Sequence, residues 1–183
     1  MSKQTTKQER IENFRKLFSA VYPAEVHERL CDELDAMHFF DAPASTKYHG
    51  NYGGGLFDHS YEVTTALLKL TDQLNLHWQR PESPYLVGML HDLCKADQYQ
   101  YDGFSREWTH KKNLVLNGHG DKSVILAQTL VDLTDEEILC IRWHMGAYDD
   151  KENWNNLGAA IEQYPNVLYS HTADMIASRV IGI

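Results

Sequence analysis

The sequence lacks the features that would mark a secreted, disulfide-stabilised or membrane protein. Its three cysteines, Cys31, Cys94 and Cys140, are widely spaced and form no Cys-x-x-Cys pair, which argues against a disulfide framework or a thiolate zinc site. No run approaches the roughly 18 apolar residues that cross a bilayer, and the polar N-terminus has no signal-peptide core. We therefore expect a cytoplasmic protein with reduced thiols and no membrane partner.

Basic residues are also scarce. Lys and Arg number 17 against 26 Asp and Glu, so the formal charge is −9. This balance argues against a surface that binds long duplex nucleic acid by releasing counterions. A small anionic substrate stays compatible with it, because bound divalent metals would reverse the local field.

The spacing of apolar residues predicts an almost wholly helical chain. Leading helices over about 6–20 and 24–38 are expected to serve as packing elements, and a loop rich in glycine follows them. Asp58 is a plausible N-cap for the next helix. Further helices are expected over 83–95, 121–132, 135–146, 157–163 and 165–181.

The predicted fold class is thus an all-α helical bundle in a single domain over residues 1–183, with residues 1–44 as the packing helices. One segment departs from helical spacing: between 97 and 112 aromatic and polar residues alternate, and Asp102-Gly103 is a turn signal, so a short β-hairpin is expected. Farther along, Thr134 followed by Glu137 predicts a capping box.

Histidine is the enriched residue type, with ten in 183 residues. Several histidines recur near the ends or inner faces of separate predicted helices, together with two aspartates. Ligands scattered in this way converge only through folding. The candidate set in chain order is His59, His91, Asp92, His119, His144 and Asp174.

Imidazole and carboxylate side chains suit phosphoester hydrolysis. At neutral pH that reaction needs a hydroxide nucleophile, and one or two metal ions lower the pKa of bound water from about 15.7 to near 7. These donors favour divalent Mn, Fe, Co, Ni or Zn over Ca, with Mg as a further option. Adjacent helical residues project about 100° apart, so a site must lie against a helix end to reach both His91 and Asp92.

Five short motifs carry the candidate ligands: GGGLFDHS around His59, GMLHDLCK around His91 and Asp92, GHGDKS around His119, IRWHMG around His144, and SHTADMIA around Asp174. Taken in order, they resemble the HD-domain metal-dependent phosphohydrolase superfamily over residues 45–181. The pattern is similar to the branch with extra histidines between the HD pair and the last aspartate, and to the HD module of bacterial 3′-to-5′ exoribonucleases.

The resemblance implies a role for each residue. One ion would have four ligands, namely His59, His91, Asp92 and Asp174. Asp92 would also bridge to a second ion held by His119 and His144. Lys95 would neutralise a phosphoryl oxygen or orient the nucleophile, which makes Asp92 and Lys95 the expected catalytic residues.

Substrate contacts have weaker sequence signals. We take five residues as candidates: Lys95, His49, Arg106, Arg142 and His171. His49 lies in the loop before the glycine run, where a lid would be. Arg106 on the hairpin has a solvated surface role as its alternative, Arg142 an ion pair with an acidic neighbour, and His171 a supporting role behind a ligand. The run Gly53-Gly54-Gly55 either presents N–H groups to a phosphate or makes a tight turn.

The expected activity is cleavage of a phosphomonoester or phosphodiester bond in a small phosphorylated substrate, a nucleotide or short oligonucleotide, by a hydroxide generated at the metal. An alternative is an HD-type di-iron oxygenase acting on a polyol or phosphonate, because some proteins resembling this superfamily use the same ligands to activate O₂. A non-catalytic nucleotide-binding module is a third reading. The sequence specifies no oligomeric state.

Overall fold

The computed structural model describes residues 5–48, 50–116 and 118–183. These residues form helices and one two-stranded antiparallel hairpin, which confirms the predicted all-α class. The α-helices are α1 (Lys7–Phe18), α2 (Ala24–Ala36), α3 (Gly55–Leu74), α4 (Ser83–Leu90), α5 (Cys94–Gln98), α6 (Gly120–Gln128), α7 (Asp135–Arg142), α8 (Trp154–Gln163) and α9 (Asn166–Met175). The strands are β1 (Tyr99–Asp102) and β2 (Glu107–His110). A π-helical turn, Ile176–Ile181, continues α9.

Helix α3 is central to the fold. It packs against α4 and α9, and α7 packs against both α6 and α9. The leading helices join the same buried cluster, since Phe14 of α1 and Leu30 of α2 are fully buried together with Leu67 of α3 and Leu90 of α4. None of the helices in the described residues has the length and apolar character needed to cross a membrane.

The predicted N-cap at Asp58 is wrong. Helix α3 begins at Gly55, and its N-cap is Gly54 in the left-handed conformation with φ of 89°. The reason lies far away in sequence, because a Cβ at Gly54 would lie 1.8 Å from the Cζ of Arg10, whose buried guanidinium fills that space. Asp58 instead lies in the first turn, where its Oδ2 accepts a hydrogen bond from the Tyr52 hydroxyl at 2.9 Å.

The helix predicted over 83–95 is two helices. Helix α4 ends at Leu90 and α5 begins at Cys94, so His91 and Asp92 lie in the break between them. The chain tightens there because the N–H of Leu93 donates to the carbonyl of Leu90, three residues back. The break places the HD pair at a helix end, where both side chains can reach one centre.

The hairpin and the capping box occur where predicted. The hairpin turn is longer than Asp102-Gly103 alone, since strand pairing ends at Asp102 and Glu107 and leaves four residues between them. Thr134 and Glu137 form the capping box of α7 through reciprocal hydrogen bonds of 3.3 and 2.8 Å. Helix α7 ends at Arg142 rather than at 146, so His144 follows the helix instead of lying within it.

Candidate metal centre

The structure brings all six candidate ligands together in one centre, where four are buried and two, His119 and Asp174, are partly exposed. His59 Nε2 lies 3.3 Å from His91 Nε2 and 3.2 Å from Asp174 Oδ1. The ring centroids of His91 and His144 are 4.9 Å apart, and those of His119 and His144 are 5.9 Å apart. Residues from five separate segments therefore share one centre.

Asp92 stands between two groups of histidines. Its Oδ2 lies 3.5 Å from His91 Nε2 and 3.6 Å from His59 Nε2. Its Oδ1 lies 3.4 Å from His144 Nε2 and 3.5 Å from His119 Nε2. The two oxygens of a single carboxylate thus face two different sets of imidazole nitrogens.

Backbone carbonyls orient three of the imidazoles. The Nδ1 of His59 is 2.8 Å from the carbonyl of Ile183, that of His91 is 2.8 Å from Gly88, and that of His144 is 2.7 Å from Ile141. An Nδ1–H that donates to a carbonyl leaves Nε2 with its lone pair, the tautomer that binds a metal. In each case Nε2 is the nitrogen that faces Asp92.

Two glycines allow the helices that carry these ligands to approach closely. A Cβ at Gly120, the first residue of α6, would lie 2.0 Å from the carbonyl oxygen of Arg142 at the end of α7. That contact sets His119, just before α6, beside His144, just after α7. A Cβ at Gly88 of α4 would lie 2.5 Å from the Cα of Thr64 in α3, and this approach brings His91 to His59.

The chemistry of the centre fits a metal. Asp92 Oδ1 and His144 Nε2 are both buried and neither has a hydrogen-bond partner among the residues that the structure describes, although buried polar atoms in folded proteins almost always have one. The ligand atoms of His59, His91 and Asp174 lie within 4.8 Å of one another, as do those of Asp92, Cys94 and His119. Imidazole and carboxylate donors of this kind could hold a divalent transition-metal ion.

In the group of Asp92, Cys94 and His119, Cys94 is the poorest candidate for a metal ligand. Burial, together with the neighbouring Asp92 carboxylate, raises the pKa of the Cys94 thiol to about 12. The thiolate is the form of cysteine that binds metals. His144, whose unpartnered Nε2 faces Asp92 Oδ1, is therefore the better companion of His119.

Electrostatics keep the carboxylates of the centre ionised. Burial alone would raise the pKa of Asp92, but Lys95, His91 and His144 together outweigh it and hold the pKa well below the usual range. The pKa of Asp174 is lowered too, because its interactions with His59 and His91 outweigh burial. Burial lowers the pKa of His119 to about 4, which leaves its ring neutral at pH 7.

Lys95 is buried against the centre. Its Nζ lies 2.5 Å from Asp92 Oδ2. Burial would lower the pKa of the ammonium group, but the Asp92 carboxylate outweighs it and the pKa is raised, so Lys95 stays protonated. A fixed positive charge therefore lies next to the carboxylate that faces both groups of histidines.

A cavity of about 490 Å³ opens onto the centre. Asp92, Lys95, His119 and Asp174 form its floor, and its walls add two cations and several rings to these candidate residues. These additional wall residues are Lys47, Tyr48, Tyr99, His110, Tyr148 and Arg179. The cavity is where a substrate would reach the centre.

Arg179 reaches this cavity because of the π-helical turn. In an α-helix the residue five positions after Asp174 would be rotated by about 140° from it, at 100° per residue. The hydrogen bonds of the π-helical turn join residues five apart, which changes this rotation from Ile176 onward, and Arg179 lines the cavity together with Asp174. No sequence signal that we used predicts a π-helix, so Arg179 was missed.

The other candidate substrate contacts lie around the centre rather than in it. His171 donates from Nδ1 to the carbonyl of His144 at 2.7 Å, and Arg106 lines a second cleft beside the first. Arg142 pairs with Asp121 and, at 2.6 Å, with Asp149. His49 lies outside the described residues. The roles of these residues in substrate binding stay predictions.

Residues of the glycine run form backbone hydrogen bonds and close packing contacts within the protein. The N–H of Gly54 donates to the carbonyl of Asp41 at 2.8 Å, and the N–H of Gly55 donates to that of Tyr52 at 2.9 Å. A Cβ at Gly55 would lie 2.1 Å from the carbonyl oxygen of Gly50. These contacts favour the tight-turn alternative over a phosphate-binding loop.

Comparison with known proteins gives one local similarity. No protein-family model matches the sequence, and no solved structure matches it. The chain is 36% identical over 62 residues to the dihydroneopterin 2′,3′-cyclic phosphate phosphodiesterase of Methanocaldococcus jannaschii, a similarity that covers 32% of this chain and 25% of that protein. The match thus spans about a quarter of the relative's length. Together with the His and Asp clusters, this likeness is compatible with an HD-type phosphohydrolase.

Proposed function

We propose that the protein is an HD-type, metal-dependent phosphohydrolase that cleaves a phosphoester bond of a nucleotide or short oligonucleotide. The observation that carries the proposal is the position of Asp92, whose two oxygens face two separate pairs of histidine nitrogens at 3.4–3.6 Å. The likeness to a cyclic phosphate phosphodiesterase supports the same class of reaction.

Two ions would share the centre. One would be held by His59, His91, Asp92 and Asp174. The other would be held by Asp92, His119 and His144. Bound divalent ions of this kind lower the pKa of a water molecule to near 7 and offset the charge of a phosphoryl group.

The side chains of the cavity bind and orient the substrate. Lys95, Lys47 and Arg179 line the same cavity, so three cations oppose two aspartates in a protein of net charge −9. This local excess of positive charge attracts a phosphate group. Lys95 Nζ is held by Asp92 and can donate a second hydrogen bond to a phosphoryl oxygen as negative charge develops there.

Hydrogen bonds to backbone carbonyls hold the imidazole rings in position before the substrate binds. Each Nδ1–H bond to a carbonyl opposes rotation of the ring, so His91 and His144 need little reorganisation to bind a metal. A site that is already arranged loses less free energy when it binds. The chain's own contribution is therefore orientation and charge.

The test is a metal-reconstitution assay with a matched pair of carboxylate variants. Stripped protein is reloaded separately with Mn, Fe, Co, Ni, Zn or Mg, and metal content and hydrolysis of nucleotides, cyclic nucleotides and dinucleotides are measured. Asp92→Asn keeps the shape of the side chain but removes the charge, so it is expected to lose bound metal and at least about 10³-fold in turnover. Asp32→Asn, at an exposed carboxylate of α2, is expected to retain both.

Retained turnover by metal-free Asp92→Asn would reject the proposal. Iron-dependent consumption of O₂ with a polyol or phosphonate, without phosphate ester cleavage, would instead favour the di-iron oxygenase alternative.

A further inference from the structure

One face of the hairpin carries a row of aromatic rings. In the antiparallel register Tyr99 pairs with His110 and Tyr101 pairs with Trp108. Side chains of cross-strand pairs lie on the same face, and so do residues two apart along a strand. The four rings of Tyr99, Tyr101, Trp108 and His110 therefore form one surface, which we call the aromatic face.

The aromatic face leads away from the metal centre. Its inner pair, Tyr99 and His110, has ring centroids 4.8 Å apart and lines the cavity above the centre. Its outer pair, Tyr101 and Trp108, has centroids 5.5 Å apart and lines a second cleft of about 440 Å³. The two pairs are separated by two residues of strand, or about 7 Å.

The second cleft adjoins the first. Ser45 and Thr46 line both, so a ligand can pass from one to the other along this shared wall. The ring of Tyr52 also lines the second cleft and is fixed in place by its hydroxyl, which donates to Asp58 at 2.9 Å. The cleft is therefore bounded by three aromatic side chains next to the metal centre.

Arg106 supplies a cation to this cleft. Glu107 also lines the cleft, but Arg106 forms no ion pair with it or with any other residue that the structure describes. Tyr101 is 55% exposed there, so its ring is available to a ligand. Stacking surfaces combined with a cation are the features by which proteins bind single-stranded nucleic acid without reading its sequence.

We propose that the aromatic face is a subsite for a second nucleobase, so that the preferred substrate is a linear phosphodiester joining two nucleosides rather than a mononucleotide. This inference rests on the proposed function and narrows its substrate. The scissile phosphate would lie over Lys95, and the base of the neighbouring nucleoside would stack in the second cleft on Tyr101 and Trp108. Arg106 would offset the charge of any further phosphate.

The experiment compares two diesters that share one scissile linkage. One is the 3′-to-5′ dinucleoside monophosphate of adenosine, and the other is the methyl ester of adenosine 3′-phosphate, which has the same charge but no second base. Both kcat/KM and the equilibrium dissociation constant by dialysis are measured for each, in the wild-type protein and in two variants. The variants are Tyr101→Thr, in the cleft, and Phe104→Thr, a control at the tip of the same hairpin.

The control is closely matched because Phe104 is 100% exposed and lines neither the cavity above the centre nor the second cleft. We expect the wild-type protein to prefer the dinucleoside diester by about tenfold in kcat/KM, the size of one stacking contact. Tyr101→Thr should lose about tenfold for that substrate, mainly in KM, with little change for the methyl ester. Phe104→Thr should leave the ratio unchanged.

The possible outcomes distinguish failure of the proposed base subsite from failure of the proposed hydrolase activity. Equal cleavage of both esters by the wild-type protein, or an equal fall in both after Tyr101→Thr, would overturn the subsite and leave the hydrolase. Tyr101-dependent binding of the dinucleoside without cleavage of either ester would support the subsite and reject the hydrolase. Absence of both binding and cleavage would reject both proposals.

Discussion

The substitution Gly120→Ala tests how the fold assembles the metal centre. Gly120 begins α6 next to His119, and the new Cβ would lie 2.0 Å from the carbonyl oxygen of Arg142 and 2.8 Å from its carbonyl carbon. Both atoms belong to the backbone at the end of α7, so no side-chain rotation relieves the overlap. Ordinary contact begins at 3.4 Å, and the two helix ends must therefore separate.

The size of the effect follows from that overlap. A separation of roughly 1 Å in a packed interior costs about 1–3 kcal/mol, and the better helix propensity of alanine offsets less than about 1 kcal/mol. A net loss of about 2 kcal/mol corresponds to a fall in melting temperature of roughly 4–8 °C for a chain of this size. Because the movement carries His119 away from His144, metal affinity should fall about 10- to 100-fold.

The assay measures urea unfolding and metal binding in the same preparations, with Gly158→Ala as the control. Gly158 lies in α8, and a Cβ there would meet no atom within 4 Å. The control should raise the free energy of unfolding by up to about 1 kcal/mol and leave metal affinity unchanged. Equal metal affinity in Gly120→Ala and the wild-type protein would refute the idea that this helix contact positions the ligands.

Two further predictions concern groups outside the catalytic steps. The buried thiols of Cys31, Cys94 and Cys140 should react with a thiol reagent at pH 7 only after denaturation. Burial raises the pKa of all three thiols, to about 11 for Cys31 and about 12 for Cys94. Rapid labelling of the native protein would contradict this prediction. Asp97→Asn should cost about 1 kcal/mol at pH 7, as expected for a half-exposed ion pair. The hydrogen bond from Lys122 lowers the Asp97 pKa, so this contribution is present above about pH 3.9 and is lost as the pH falls through the lower folded value. The difference between variant and wild type in urea unfolding should therefore decrease as the pH falls below about 3.9, and a difference that stayed constant over the acid range would contradict the assignment.

Local signals were enough to predict much of the fold. The Thr134 and Glu137 capping box depends on residues three apart, and the hairpin depends on alternation within one short segment, so both could be read without knowledge of the tertiary structure. The six candidate ligands that meet in the centre could be selected because each lies in a short motif. The sequence did not contain the distances between them, which result from close helix contacts at Gly88 and Gly120.

Features that depend on distant residues were missed. The start of α3 is set by Arg10, which lies more than 40 positions before Gly54 and fills the space where a Cβ would be. The π-helical turn that contains Arg179 has no local signature in the sequence. The alternation of residues in the hairpin predicts that the aromatic rings share one face, but it does not predict that one end of this face lines the cavity above the centre.

The most direct test of the account is a crystal structure of manganese-loaded protein with anomalous diffraction data. Two anomalous peaks are expected at the Asp92 carboxylate, one beside each oxygen, with His59 and His91 nearest to one peak and His119 and His144 nearest to the other. Peaks elsewhere on the molecule, or no bound manganese at this carboxylate, would contradict it.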